Sequence, residues 1–522
     1  MSDSVKPVLR ADTGDGLGVR VARDLAAVGG GTALATVFGT ISIFVIPRLV
    51  SVENYGYWRI FLLYSGYVGF LHLGFTEGAL LSWAGDSLSV IRHQLRPSLK
   101  FIAFQQLSFL AIGILLCLAF LRPAFWLVTI AVFTFAVLQN TTTVLLYALQ
   151  AAREFGTVAV AVAIPTGGFL ALAVVCHFVT LADYRMLIAS YLLGWIFLLL
   201  FLWTRLQPLN GSFSITAGVI ARQFIITGWP IMLSSLAYCI VQSADKLVVS
   251  ATGSLYGFAQ YSLAASVMAL PIAAITAVSR VFFPHLAAID PQHHRGAYNR
   301  ATVLAFLCWS VSVPYYFILE RIVRSLLPKY IEGLPYAEIL LNGAVFLGSI
   351  QILQLSLSNI YRRQRQFLLW ACGAVFISLS LALFAATELR SLKAVATSQV
   401  VSVLIWWQIN EWNLRDISGQ TWRSWTRLLY LFAWSALSFW VALEVAKGTL
   451  LRIAVYYALT SICAGWIGFH EIHFCWRVVL NSCHAWLNPA QVGPANGSST
   501  PNAQHCYSAE LHKIDAIDRP TA

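Results

Sequence analysis

Five charged side chains interrupt long apolar stretches of this 522-residue chain: Arg59, Glu77, Asp245, Lys246 and Arg280. An ionised side chain near the centre of a bilayer costs about 2.5–3.5 kcal/mol on insertion scales, so such residues mark candidate sites for ions or charged cargo. Arginine also offers a planar fork of N–H donors that suits phosphate oxygens. These residue types predict a polar, partly cationic seam between helices.

Arg59 and Glu77 lie 18 residues apart on a predicted helix over residues 58–84. Eighteen residues make five helical turns, so the two side chains would share one helix face about 27 Å apart. Tyr64 and Tyr67 flank this face, which would then border a cavity. The alternative is that Arg59 and Glu77 only reach toward the two membrane interfaces.

Asp245 and Lys246 fall near the end of a predicted helix over residues 223–249, and Tyr238 and Gln242 precede them along one side of it. This polar stripe predicts substrate contacts. For Asp245 a structural role, in which it pairs with a neighbouring helix, explains the sequence equally well.

Arg280 follows Pro271, which predicts a kink in the helix over residues 257–286. Its guanidinium either contacts an anion or anchors the helix at the membrane interface.

Elsewhere the sequence has no GxxxxGK[ST] phosphate loop, and its nine cysteines show no CxxC pair or metal-ligand spacing. We therefore predict no catalytic residue, no metal site and no bound cofactor, and expect the function to lie between the helices.

The chain that positions these residues is 58% hydrophobic and only 11% charged, with a mean hydropathy of +0.72. Soluble proteins average about 25% charged residues, so the composition indicates a bilayer environment. Apolar windows of about 20 residues predict an all-α integral membrane protein with about fourteen transmembrane helices, over residues 25–47, 58–84, 101–121, 124–150, 156–180, 186–206, 223–249, 257–286, 301–320, 337–360, 367–387, 394–412, 428–446 and 453–474.

The distribution of positive charge predicts the orientation, because Lys and Arg favour the cytoplasmic side of short loops. With the N-terminus inside, 21 of the 34 Lys and Arg residues fall on the cytoplasmic side and 10 on the other. Both termini are therefore predicted to be cytoplasmic. The net charge of +12 then reflects topology and contact with anionic membrane lipids, and no nucleic-acid partner is expected.

A weak internal repeat relates residues 25–85 to residues 223–287. In each block an apolar helix leads into a short turn, Tyr55-Gly56-Tyr57 or Tyr256-Gly257-Phe258, and then into a second helix. Many transporters build a central site between two such repeats. The sequence therefore predicts two similar halves that face each other across a cavity.

Several short motifs, in this order and spacing, resemble the polysaccharide transporter family, the Wzx-type O-antigen and exopolysaccharide flippases of the MOP (MATE-like) superfamily. The resemblance covers about residues 20 to 480. The motifs are Glu53-Asn54-Tyr55-Gly56, Leu71-His72-Leu73-Gly74-Phe75, Ala244-Asp245-Lys246-Leu247-Val248-Val249 followed by Tyr256-Gly257, Phe283-Pro284-His285-Leu286, and Leu327-Pro328-Lys329-Tyr330.

The resemblance implies two pseudo-symmetric six-helix bundles around a central cavity, followed by two further helices. The implied organisation is a cytoplasmic N-terminal segment (1–24), a first bundle (25–206), a cytoplasmic linker (207–222), a second bundle (223–412), two additional helices (413–474) and a cytoplasmic tail (475–522) whose polar composition predicts disorder.

The implied function is to flip a polyprenyl-pyrophosphate-linked oligosaccharide, an O-antigen, exopolysaccharide or capsule repeat unit, across the bacterial inner membrane by alternating access. Other polysaccharide-assembly proteins would be its partners. The family often has an acidic residue where this chain has His72. Coupling to an H⁺ or Na⁺ gradient would then involve Glu77, His72 or Asp245.

Two other functions stay open. A MATE-like, ion-coupled exporter of small amphipathic molecules would line its cavity with unpaired carboxylates, whereas this chain offers about as many cations as acids within its spans. A membrane enzyme of polysaccharide assembly, such as a glycosyltransferase, polymerase or ligase, would be expected to carry a long outer loop with clustered acidic or Arg and His residues. The sequence has no such loop.

Overall fold

The computed structural model of the protein describes residues 16–179, 183–207, 215–267, 294–361, 363–419 and 421–461. These residues form helices joined by short turns. The helices are α1 (Gly16–Leu49), α2 (Val52–Ser65), α3 (Phe75–Trp83), α4 (Leu88–Phe120), α5 (Pro123–Ala151), α6 (Phe155–Val179), α7 (Tyr184–Leu206), α8 (Ile215–Thr252), α9 (Leu255–Val267), α10 (His294–Ser312), α11 (Tyr315–Leu326), α12 (Leu334–Leu340), α13 (Ala344–Ser349), α14 (Leu355–Ile360), α15 (Gln364–Thr387), α16 (Leu392–Ser418) and α17 (Trp422–Val445), and residues 449–461 are also helical.

Within the described residues, eleven helical segments are long and apolar enough to cross a membrane. Their surfaces expose large apolar side chains, such as Phe120 (81% exposed) and Phe178 (82%). Water-soluble proteins rarely expose apolar surface on this scale, whereas lipid chains cover it favourably. The predicted all-α, multi-pass membrane fold is confirmed. The predicted helices over 257–286 and 453–474 extend beyond the described residues.

The two halves of the chain pack their helices in the same order. In the first half α1 packs against α6 and α6 against α7, and in the second half α8 packs against α15 and α15 against α16. The first spanning segment of each half therefore contacts the fifth, as the internal repeat leads one to expect. The halves meet where α2 contacts α9 and where α3 contacts α8. We call the α2–α9 contact the outer junction and the α3–α8 contact the inner junction. In the predicted orientation the inner junction lies nearer the cytoplasm.

The second spanning segment is broken, so the predicted continuous helix over residues 58–84 is wrong. Helix α2 ends at Ser65, a 3₁₀ turn follows over Val68–His72, and α3 begins only at Phe75. Between the last two, Leu73 and Gly74 adopt left-handed backbone angles, with φ of 56° and 84°. Because an α-helix cannot continue through such residues, Arg59 and Glu77 do not share one helix face.

Polar side chains from neighbouring helices bind the backbone that this break exposes. Asn140 of α5 donates to the carbonyl of Val68 at 2.9 Å, and Gln106 of α4 donates to that of Leu71 at 3.1 Å. Asn140 also donates to the Gln106 side-chain oxygen at 2.9 Å. Non-helical backbone at membrane depth is tolerated where its polar groups find such partners. The two buried amides therefore stabilise the break.

The predicted helix over residues 337–360 is also interrupted. Its place is taken by α12, a 3₁₀ turn over Leu341–Gly343, α13, a π-helical turn over Ile350–Gln354, and α14. Such π turns are often found at functional sites. Here the 3₁₀ turn and its flanking helices border the space between the two halves.

Candidate functional site

A cavity of about 330 Å³ lies between the two halves, beside α2 and α9. Four of the residues predicted from the sequence, Arg59, Gln242, Asp245 and Lys246, lie in its wall. The full lining is Ile43 of α1, Arg59 of α2, Gln242, Asp245 and Lys246 of α8, Ala265 and Ser266 of α9, Leu340, Gly343 and Leu347 from the interrupted segment, and Gln399, Val400 and Val403 of α16.

Arg59 brings a positive charge to this wall from the first half. Its Nη2 donates to the carbonyl oxygen of Ser262 on α9 at 3.3 Å. Its guanidinium carbon lies 5.9 Å from the centre of the Tyr55 ring, which packs edge-on against Tyr330. Its Nε is buried without a hydrogen-bond partner among the described residues. Arg59 therefore bridges the halves while keeping donor capacity for an anion.

Asp245 and Lys246 bring charges of opposite sign from the second half. Asp245 is only 2% exposed, and its Oδ2 accepts a hydrogen bond from the Tyr261 hydroxyl at 2.7 Å. No described carboxylate comes within 4.0 Å of the Lys246 or Arg59 nitrogens. Among the described lining residues, two cations and one carboxylate give a formal net charge of +1. Such a wall attracts anions.

Gln399 is a cavity residue that the sequence analysis missed. It is 5% exposed, and its Nε2 donates to the carbonyl oxygen of Val241 at 2.8 Å. Its Oε1 has no hydrogen-bond partner among the described residues. The available signal was an amide within the apolar segment over 394–412, which also contains Gln408 and Asn410, and the sequence analysis considered charged residues instead.

The predicted tyrosines lie near the cavity without lining it. Tyr67 bonds to Ser243 of α8 with an oxygen–oxygen distance of 2.5 Å, and Tyr64 to Ser250 at 3.3 Å. Tyr238 donates to the Gln351 side chain in the π turn at 3.1 Å. Tyr64 at the end of α2 and Tyr67 just before the 3₁₀ turn therefore join the first half to α8 of the second.

Glu77 and His72 lie together at the inner junction, away from the lining of the cavity. His72 Nδ1 is 3.5 Å from Glu77 Oε2, and Thr76 donates to the same carboxylate oxygen at 3.1 Å. The backbone N–H of Gly74 donates to His72 Nδ1 at 3.0 Å. A nitrogen that accepts a hydrogen bond carries no proton, so His72 is neutral in this arrangement. Two of the three candidate coupling residues, Glu77 and His72, therefore lie beside the helix break.

A second buried carboxylate, Glu411 of α16, was not predicted. It is 4% exposed, and its Oε1 accepts hydrogen bonds from the Tyr298 hydroxyl at 2.6 Å and from Gln354 Nε2 at 2.9 Å. The sequence placed Glu411 at the end of a helix over 394–412, whereas α16 continues to Ser418. These six extra residues move Glu411 into the protein interior.

The remaining predictions about sites concern Arg280 and metals. Arg280 lies outside the described residues, so its role stays a prediction. No group of three or more His, Cys, Asp or Glu side chains among the described residues could hold a metal ion.

Comparisons with known proteins connect this architecture to a family. A family model described as "Polysaccharide biosynthesis protein" matches residues 87–331. No curated protein sequence matches the chain. The fold is similar to that of Lipid II flippase MurJ in its inward closed conformation, with a TM-score of 0.63 and 12% identity over 85% of this chain and 98% of that one.

Two further solved structures share the fold. One is the inward-facing conformation of a multidrug resistance MATE family transporter of the MOP superfamily, with a TM-score of 0.60 and 12% identity over 77% of this chain and 99% of that one. The other is a MOP superfamily transporter from Pyrococcus furiosus, with a TM-score of 0.52 and 13% identity over 77% and 96% of the two chains. The chain is therefore a multi-pass membrane protein whose fold is similar to that of these transporters, and its residues 87–331 match the model of a polysaccharide biosynthesis family. Both findings agree with the predicted resemblance.

Proposed function

We propose that this chain flips a polyprenyl-pyrophosphate-linked oligosaccharide across the bacterial inner membrane by alternating access. The observation that carries the proposal is the cavity between the halves, to which Arg59 comes from one half and Lys246 from the other. The match of residues 87–331 to a polysaccharide biosynthesis family supports a polysaccharide precursor as the cargo.

The chemistry of such a cargo fits the wall of the cavity. A pyrophosphate entering the membrane must exchange its water shell for donors and cations, while the polyprenyl tail can stay in lipid. Arg59 supplies a planar fork and Lys246 a compact ammonium, both suited to phosphate oxygens. Because the two cations belong to different halves, a motion of one half relative to the other changes the distance between them. The affinity of the cavity for the anion changes as a result.

An exporter of amphipathic cations suits this cavity less well. Among the described residues, Asp245 is the single carboxylate in the lining. Its Oδ2 is already bonded to Tyr261, and it adjoins Lys246. The two cations therefore leave a net charge that repels a positive cargo.

The proposal includes an orientation and a coupling. Both termini lie in the cytoplasm, and a reporter fused at Arg363, on the predicted cytoplasmic side, should report a cytoplasmic location. An outside location would refute the orientation. Coupling to an H⁺ or Na⁺ gradient through Glu77, His72 or Asp245 predicts that collapsing the relevant gradient stops export.

Complementation in a strain of the source organism that lacks this chain tests the function. Arg59→Ala should abolish or strongly reduce surface polysaccharide at normal abundance of the protein in the membrane, and Arg59→Lys should restore only part of it. Arg280→Ala is expected to act similarly. Arg185→Ala is the matched control, since the Arg185 side chain is 66% exposed and lies outside the cavity lining. Full export by both the Arg59→Ala and Arg280→Ala variants would refute the cationic seam.

A further inference from the structure

Glu411 of α16 is a buried carboxyl group that lies outside the cavity and that the proposed function does not use. Its side chain is 4% exposed and is absent from the cavity lining. Its Oε1 accepts hydrogen bonds from the Tyr298 hydroxyl and from Gln354 Nε2, and both donor side chains are fully buried. The carboxyl group is therefore fixed where α10, the π turn and α16 meet.

The described residues place no positive charge beside this carboxyl group. No Lys, Arg or His nitrogen among them lies within 4.0 Å of either Glu411 oxygen, and this includes α8, α12, α13 and α15, the other helices packed against α16. An ionised carboxylate is costly to bury without a cation, and a carboxyl group so placed favours its neutral, protonated form. The burial of Glu411 therefore calls for a proton.

The ionisable groups one turn away from this site have other partners or reach the surface. On α10, one turn before the tyrosine that donates to Glu411, His294 Nδ1 lies 3.0 Å from the Tyr361 hydroxyl. On α16 the next charged residues, Arg415 and Asp416, are exposed. These groups leave the charge of an ionised Glu411 uncompensated.

Two unpaired atoms indicate where the proton resides. Glu411 Oε2 and Gln354 Oε1 are buried and have no hydrogen-bond partner among the described residues. Buried acceptors in native proteins are nearly always paired, and the simplest source of the missing donor is the pair itself. A protonated carboxyl group has an O–H donor. With the proton on Oε2, the acid can donate to the amide oxygen while the amide N–H donates to Oε1.

We propose that Glu411 is a proton-binding site of the second half and that the proton lies between its carboxyl group and the Gln354 amide. Uptake forms an O–H bond on Oε2 and release breaks it, with water as the source and the recipient of the proton. The site is distinct from the cavity and from Glu77, His72 and Asp245, the residues that the sequence suggested for coupling.

The π turn connects this site with the cavity. Gln354 is its last residue, and Gln351 within it accepts a hydrogen bond from Tyr238 of α8 at 3.1 Å. The same interrupted segment lines the cavity at Gly343. A shift of the segment that separates Gln354 from Glu411 removes the acceptor of the proton and favours its release. Proton binding and the position of the segment are then reciprocally linked. This link to transport rests on the proposed function, whereas the existence of the proton site does not.

Infrared spectroscopy of the purified full-length chain in detergent tests the site without a transport assay. At neutral pH the wild type should show a C=O stretch of a protonated carboxylic acid that is missing from Glu411→Gln. This band should shift to lower frequency when the hydroxyl proton is exchanged for deuterium. Glu388→Gln is the matched control, because Glu388 is exposed just after α15 and its ionised carboxylate gives no such band.

Two further variants assign the band to the proposed contacts, and they test the proposal even where Glu411→Gln fails to fold. Gln354→Met keeps the length of the side chain but removes the acceptor of the proton and one donor to Oε1. Tyr298→Phe removes the other donor to Oε1. Both variants weaken hydrogen bonding to the acid, so both should shift the band to higher frequency.

Export measured by complementation tests the link to transport. Glu411→Gln has the shape of the protonated acid and places an N–H where the O–H would be, so it should keep the wild-type thermal midpoint. Its amide cannot release the proton, and export should be lost at normal abundance in the membrane. Glu388→Gln should export normally.

Three results would overturn the inference. Identical carboxylic acid bands in the wild type and Glu411→Gln would show that Glu411 is ionised. A band that stays unchanged in Gln354→Met would place the proton elsewhere. Full export by Glu411→Gln would refute the link to transport and leave the proposed function intact, because the loss of surface polysaccharide in the strain that lacks the chain tests that function separately.

Discussion

The outer and inner junctions between the halves are built from different kinds of contact. At the outer junction a side chain reaches across, since Arg59 bonds to the Ser262 carbonyl. A Cβ added to Gly56 there would lie 2.8 Å from the Leu255 side chain and 2.9 Å from the Leu255 carbonyl oxygen. At the inner junction backbone meets backbone. A Cβ added to Gly78 would lie 1.9 Å from the Phe224 carbonyl oxygen.

The same close approach is seen from the other helix of the inner junction. A Cβ added to Gly228 of α8 would lie 1.9 Å from the carbonyl oxygen of Gly74. The Phe224 ring then packs between Phe75 at 5.4 Å and Trp83 at 5.7 Å, measured between ring centres.

This difference indicates how each junction can open. Side-chain contacts rearrange by rotamer changes, but a backbone contact separates only when a whole helix moves. Opening the inner junction therefore requires α3 to move away from α8 as a rigid body. In the proposed alternating-access cycle, the helix break before α3 is the joint at which we expect this motion, with α2 and the outer junction staying in place.

The largest expected effect on stability comes from adding a methyl group at the inner junction, and the same change at the outer junction is its control. Gly78→Ala places its Cβ against the backbone of Phe224 and should lower the free energy of unfolding by about 1–3 kcal/mol or more, with a lower thermal midpoint in detergent. Gly56→Ala would place its Cβ 2.8 Å from the flexible Leu255 side chain and 2.9 Å from the Leu255 carbonyl oxygen. This overlap is milder than that at Gly78, so the variant should cost less. Equal losses in the two variants would show that the junctions do not differ in rigidity.

The sequence predicted the helical membrane fold, the repeat and four of the cavity residues for one shared reason. Apolar length and intramembrane charge are local signals, and Arg59, Asp245 and Lys246 stand out wherever the chain takes them. Gln242, an uncharged amide, was found because it shares a helix side with Asp245 and Lys246. Gln399 was missed because an amide carries no comparable insertion cost and no charged residue lies one turn away from it.

The sequence could not reveal the helix break near Gly74, because the side chains that stabilise the break are distant from it in the sequence. The exposed carbonyls of Val68 and Leu71 are satisfied by Asn140 and Gln106, which lie on other helices. Those partners become visible only when the helices are assembled. The predicted common face of Arg59 and Glu77 was lost for this reason.

An intermediate effect is expected when the hydrogen bonds that Asn140 makes at the helix break are removed. Asn140→Ala leaves the buried Val68 carbonyl without its donor, which should cost about 1–3 kcal/mol of stability. Export should fall further than this loss explains, because α3 loses its fixed position relative to α2. Thr134→Ala is the control, since the Thr134 hydroxyl bonds only to Ile130, one turn away on the same helix. Thermal midpoints and export are measured in parallel for both variants. Equal thermal midpoints and equal export in the two variants would contradict this role for Asn140.

The smallest effect is expected from the hydroxyl contacts that Tyr64 and Tyr67 make with α8. Ser243 donates its hydroxyl hydrogen to the Cys239 carbonyl at 2.6 Å, so Tyr67 must be the donor in its own bond to Ser243. Tyr67→Phe then removes one hydrogen bond without leaving a buried donor unpaired, and should cost roughly 0.6 kcal/mol, the average for such bonds between membrane helices. Ser243→Ala leaves the Tyr67 hydroxyl without a partner and should cost more. Tyr64→Phe should be nearly silent, because Tyr64 is 41% exposed. A double-mutant cycle of Tyr67→Phe with Ser243→Ala isolates the bond, and a coupling energy of zero would mean that this contact does not hold the halves together.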